Sequence, residues 1–116
     1  MKLLIDTNFI LIPFTKHTDV IDALSEDGEV YIPDFCVEEL RKLGKEKIVN
    51  SYIKLKKIKV LETKFKNNCG ADKYLLELSK NGYVICTQDS ELRKKIKQVG
   101  GKIIYLRQNR YIEKNF

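Results

Sequence analysis

The chain has 116 residues, 43% of them hydrophobic and 33% charged, so a single domain over residues 1–116, with one core and one principal site, is expected. Lys and Arg number 22 against 16 Asp and Glu, a net charge of +6; the excess favours a polyanionic partner and says nothing of catalysis. No apolar run reaches the roughly 18 residues of a membrane span, and Asp6 interrupts the apolar start MKLLIDTNFILIPF, so the expectation is a cytoplasmic chain with neither span nor signal peptide. Cys36, Cys69 and Cys86 form no CxxC pair and His17 is the sole histidine, which argues against a zinc site or a disulfide framework and for small buried hydrophobes.

In chain order, KLLI at 2–5 is a short apolar run that stops at Asp6 and reads as a buried strand. Residues 18–26 carry Val20, Ile21 and Leu24 on one side of a helix, with Gly28 as its stop. A second strand is expected at 30–32, helices at 35–43 and 46–57, and a weaker strand at 58–61. The basic stretches KLKKIK at 54–59 and KFKNNCG at 64–70 lead into a helix over 71–80. A strand at 83–86, a helix at 89–98 and a strand at 103–106 follow. Gly44, Gly82 and Gly100 stand just beyond three of these helices, where a left-handed residue closes a helix. Residues 107–116 mix cations with Tyr111 and Phe116 and read as a flexible or partner-docking tail. Strands alternating with helices predict an α/β fold, a three-layer α/β/α sandwich around a mostly parallel sheet of about five strands.

In an open parallel sheet the functional crevice lies outside the carboxyl ends of the strands. Four acids fall there: Asp6 directly after LLI, Glu39 in the helix after YIP, Asp72 in the first turn of ADKYLLELSK, and Asp89 after VICTQ. At about 100° per residue, Cys36, Val37, Leu40 and Leu43 centre one apolar stripe, which puts Glu39 at its edge and Glu38 nearly opposite. The same count turns Ala71, Leu75 and Leu78 inward with Asp72 flanking them, and Lys73 and Glu77 toward water. Each acid also has an ordinary use. Asp6 and Asp89 suit N-caps, as does Asp34 in IPDFC, and Asp72 suits a first turn. Asp19, Asp22, Glu26 and Asp27 read as a solvated helix face. Four acids converging on one crevice repel one another unless they share cations or protons.

The segments LLIDTNFI, IPDFCVEELRKLG, ADKYLLEL, VICTQDSELRKKIK and IIYLRQNRYIEKNF together resemble the PIN domain, a metal-dependent nuclease fold, over nearly the whole chain. Within it the likeness is closest to small proteins related to the rRNA-processing nuclease of eukaryotic small-subunit assembly, and more distant to the VapC toxins. The resemblance implies Asp6, Glu39, Asp72 and Asp89 as the catalytic, metal-binding acids. It implies Asn8 and Thr87 as supports for the first and last acids, and Glu91 as an outer contact. Relatives often carry a second acid after the helix-opening one, where this chain has Lys73.

The residue chemistry agrees, because carboxylates without His or Cys select hard cations, here Mg²⁺ or Mn²⁺. Lys45, Lys47, Lys64, Lys66, Arg93, Lys94 and Arg110 are candidates to hold RNA around such a pocket; the six tyrosines show no stacking motif. The resulting expectation is an endoribonuclease acting in rRNA processing or as a toxin. It would partner RNA and also a second copy, an antitoxin or a pre-ribosomal particle. A PIN-like RNA-binding or assembly module with weak or no cleavage is the alternative. A receiver-like regulatory domain also places acids at strand ends, but usually opens on adjacent acids, unlike LLIDTN.

Overall fold

The computed structural model describes residues 1–16, 19–63, 70–108 and 111–116. Lys64, Lys66, Cys69 and Arg110, together with His17, lie outside them. The elements run β1 (Lys2–Ile5), α1 (Thr7–Ile10), α2 (Ile12–Thr15), α3 (Val20–Ser25), β2 (Glu29–Pro33), α4 (Asp34–Lys42), α5 (Glu46–Leu55), β3 (Lys59–Leu61), α6 (Ala71–Lys80), β4 (Val84–Cys86), α7 (Ser90–Gln98), β5 (Ile103–Arg107) and β6 (Tyr111–Asn115). The sheet order is β3-β2-β1-β4-β5-β6, parallel throughout except for the last pair.

β1 is central because its residues are apolar on both faces. Leu3 and Ile5 point to one side and Leu4 to the other, all fully buried. The Leu3 side gathers Val30, Ile32, Val84, Cys86, Ile104 and Leu106 of the sheet under residues of α1 to α5, among them Phe9, Ile21 and Leu40. The Leu4 side gathers Ile85 and Ile103 under Leu75 of α6 and Leu92 and Ile96 of α7. The three layers therefore have two separate cores. β2 starts where Gly28 passes the first residue: a Cβ there would stand 2.1 Å from the Met1 carbonyl oxygen, which accepts the Glu29 amide at 3.0 Å.

Helices α4, α6 and α7 close as their glycines predict. In each the glycine amide and the following amide bond back to the helix, as when Gly100 donates to the Lys97 carbonyl and Gly101 to that of Ile96. Helix α5 ends two residues short of the expected 57, because Lys57 takes the left-handed conformation itself (φ 56°) and Ile58 donates to the Ile53 carbonyl.

The structure corrects or adds to the sequence pattern at several further points. Residues 111–115, read as part of a tail, form β6, so the sheet has six strands rather than five. The apolar run after Asp6 folds into two short helices, one capped by Asp6 and the other carrying Pro13 in its first turn. Asp34 is not a cap: Pro33 holds that position, and the Asp34 carboxylate accepts the Thr63 amide (3.0 Å) and hydroxyl (2.6 Å), tying α4 to the chain leaving β3. Asp19 and Asp22 are exposed, as the solvated face predicts, and they also hold the Lys56 ammonium at 2.8 and 2.9 Å. Among the described residues no helix is long and apolar enough to cross a membrane.

Candidate active site

Strand order reverses between β1 and β4, and the loops leaving those two neighbours part there to open a crevice. The parallel register sets Ile5 beside Cys86, so Asp6 and Thr87 emerge side by side. Asp6 is the N-cap of α1, its Oδ1 accepting the Phe9 amide at 2.8 Å. Its Oδ2 accepts the hydroxyl of Thr87, which is fully buried. The same hydroxyl oxygen accepts the Asp89 amide at 3.2 Å. Asp89 in turn caps α7, its Oδ1 taking the amides of Glu91 (3.0 Å) and Leu92 (3.2 Å). The capping use and the crevice position are thus one arrangement: each cap occupies one carboxylate oxygen and fixes the other in direction.

An open pocket at this point is lined by Asp6, Thr7, Asn8, Cys36, Glu39, Ala71, Asp72, Leu75 and Asp89. It brings all four expected acids together, from four separate segments. Glu39 comes in from α4, accepting the Thr7 hydroxyl on Oε2 at 3.2 Å, while Glu38 turns away to pair with Arg41 on the surface. Asp72 comes from the first turn of α6, exposed like its neighbour Lys73, which does not line the pocket. Asn8 lines the pocket, but among the described residues Thr87 and the Phe9 amide are what fix Asp6. Glu91 lies outside the lining and contributes a backbone amide to Asp89.

Among the described residues no Lys or Arg lines the pocket, and its charged side chains are all acidic. Burial, with the charges of Asp89 and Asp72 adding to it, holds the Asp6 carboxyl above the usual carboxylate range against the bonds from Thr87 and Phe9. Burial pushes the Cys36 thiol up to about 12, with Asp6 and Glu39 adding to the rise and contacts to Thr7 opposing it. Such a set of carboxylate oxygens, with no imidazole among the described lining residues, fits a hard divalent cation. Among the described residues no three acidic, His or Cys groups close around a single point; the acids line a shared pocket rather than form a finished cage.

Of the expected RNA-holding cations, Arg93 has the most defined place. It lies one turn after Asp89 on α7, with its guanidinium 4.1 Å from the centre of the Tyr105 ring and Nη1 donating to the Thr87 carbonyl at 3.5 Å. Lys45, Lys47 and Lys94 are exposed.

Three residues escaped the sequence reading. Thr7 and Cys36 line the pocket; Thr7 stands beside Asp6, and Cys36 lies on the stripe already assigned to the core, so either could have been noticed by position. Gln88 could not. Its side-chain amide donates to the Leu106 carbonyl (3.0 Å) and accepts the Leu106 amide (2.6 Å), extending the β4–β5 ladder with a side chain and pinning the Asp89 loop to β5.

Residues 3–109 match the family described as PIN like domain. The chain is 30% identical to Ribonuclease VapC9 of Archaeoglobus fulgidus, over 93% of this chain and 84% of that protein. Its fold is similar to the structure of the PIN domain endonuclease Utp24, with a TM-score of 0.79 at 24% identity over 97% of this chain and 90% of that one. It is also similar to that of a PilT N-terminus domain protein from the archaeon Sulfolobus solfataricus P2, with a TM-score of 0.59 at 17% identity over 90% and 87%.

Proposed function

This chain belongs to the PIN like domain family, and on that footing we propose that it is a metal-dependent endoribonuclease hydrolysing RNA phosphodiester bonds. The observation that carries the reading is the pocket itself: Asp6, Glu39, Asp72 and Asp89, from four segments, line one crevice at the point where strand order reverses. Asp6 and Asp89 are the direct holders of Mg²⁺ or Mn²⁺, being the two carboxylates fixed by capping bonds, with the Thr87 hydroxyl joining the Asp6 carboxylate to the Asp89 amide. Glu39 and Asp72 complete the set, directly or through bound water. The cation, when bound, supplies Lewis acidity at the scissile phosphate and lowers the pKa of an attacking water.

The remaining roles belong to the chain. Thr87 keeps the first and last carboxylates in fixed relation, and Asn8 offers a polar group at the pocket wall. Arg93, held over the Tyr105 ring, is set to meet a backbone phosphate beside the acids, with Lys45, Lys47 and Lys94, and also Lys64, Lys66 and Arg110, as the wider basic field. The net charge of +6 then averages a basic exterior over an acidic pocket. The similarity to a VapC ribonuclease supports RNA as substrate; toxin-type cleavage, with an antitoxin partner, and rRNA maturation, within a pre-ribosomal particle, are the two settings we propose. A second copy as partner and a cytoplasmic location complete the proposal.

The test is cleavage of single-stranded and structured RNA by the purified chain with Mn²⁺, Mg²⁺ or EDTA, in wild type, Asp6→Asn and Asp89→Asn. Asn caps a helix as well as Asp does, so both variants are expected to fold. Cleavage should require the cation and fall at least a hundredfold in both. Unchanged cleavage in the two folded variants would refute the reading, and salt-sensitive RNA binding without any cleavage would make this chain an RNA-binding module instead.

A further inference from the structure

We propose that Thr7 is a positioning residue, whose hydroxyl holds the Glu39 carboxylate over the acid pocket and thereby sets the affinity of the site for its cation. The inference rests on the metal-site reading above and adds a residue to it. Three of the four acids reach the pocket on short side chains, and two of these, Asp6 and Asp89, are held by amides of their own helices. Glu39 does not: it is the longest of the four and exposed, and its free rotamers would carry it into water. Its carboxylate accepts the Thr7 hydroxyl, Oγ1 to Oε2, at 3.2 Å.

Thr7 is suited to this task. It is 5% exposed and occupies the first position of α1 next to Asp6; its branched side chain is restricted at χ1, so few directions are open to the hydroxyl. Cys36, three residues before Glu39 on α4, lines the same pocket and is buried beside Thr7, so the wall behind the hydroxyl is closed to water.

Binding of Mn²⁺ to the full chain, measured by titration calorimetry and by the spin-resonance signal of free Mn²⁺, tests this without relying on cleavage. Thr7→Val keeps the shape and removes the hydroxyl; it should weaken Mn²⁺ binding about tenfold, as loss of a ligand's hydrogen-bond partner does. Thr7→Ser should stay within about threefold of wild type. Glu39→Gln should weaken binding by at least as much as Thr7→Val, and the double variant should bind no more weakly than Glu39→Gln alone, because a residue that acts through Glu39 has nothing left to act on. Thr7→Val binding Mn²⁺ as wild type does would overturn the role of Thr7 and leave the nuclease reading standing, whatever happens to its melting temperature. Strictly additive losses in the double variant would do the same. A wild-type chain that neither binds Mn²⁺ nor cleaves RNA would overturn the nuclease reading and this role with it.

Discussion

Replacing Gln88 by Ala should destabilise the protein far more than its half-buried position suggests. The Gln88 amide makes two hydrogen bonds to one residue, donating to the Leu106 carbonyl at 3.0 Å and accepting its amide at 2.6 Å, and Leu106 is only 4% exposed. Truncation frees both main-chain groups at once, at about 1–2 kcal/mol each when water reaches part of the gap, or about 2–4 kcal/mol in all. A chain of 116 residues has an unfolding entropy of about 0.24 kcal/mol per degree, so the melting temperature should drop by about 8–16 °C. Gln88→Glu keeps the acceptor for the Leu106 amide but turns a carboxylate oxygen toward the Leu106 carbonyl. It should be destabilised at neutral pH and partly recover in acid, once a protonated carboxyl can donate as the amide did. Thermal unfolding followed by circular dichroism over a pH series reads both effects. A Gln88→Ala variant melting within about 2 °C of wild type would refute the view that this side chain completes the β4–β5 ladder.

Two further outcomes follow from the same geometry. Asp6 has a folded pKa above its ordinary 3.8, through burial first and then Asp89 and Asp72, so its charge opposes folding fully above the folded pKa and not at all below 3.8. Asp6→Asn should therefore melt higher than wild type at pH 7, with the gap closing as pH falls toward 3; a gap that is constant with pH would exclude this origin. Arg93→Met, measured in the non-cleaving Asp6→Asn background, should weaken single-stranded RNA binding and make the plot of log K against log salt shallower by about 0.7, the share of one phosphate contact; an unchanged slope would remove Arg93 from the RNA surface.

Most of the site was legible in the sequence because its parts obey local rules. Asp6 and Asp89 stand where apolar strands end, and the helical count separates Glu39 from Glu38 without any knowledge of the sheet. Glycines at 44, 82 and 100 announce three helix ends for the same reason, since left-handed backbone favours them. Lys57 adopts that backbone without being glycine, so the end of α5 carried no mark. The strand β6 was hidden because its residues, YIEKN, alternate weakly and pair only with β5, a long-range partner that no local pattern names. Gln88 was hidden for a related reason: its partner is the main chain of Leu106, and a backbone partner leaves no trace in residue type.

The position of β1 in the middle of the sheet also governs when the pocket can come into being. Its Lys2, Leu3 and Leu4 pair on one side with β2, 27 residues on, and Leu3, Leu4 and Ile5 on the other with β4, 81 residues on. The acids straddle that second pairing. A growing chain can therefore assemble β1, β2 and the helices between and after them while Asp6 still faces an unmade neighbour, and Thr87 and Asp89 reach it only when the long loop through α6 closes. A pocket built this way is incomplete wherever β4 is not in place, so it reports on completion of the fold as a whole and is exposed to failure anywhere along it.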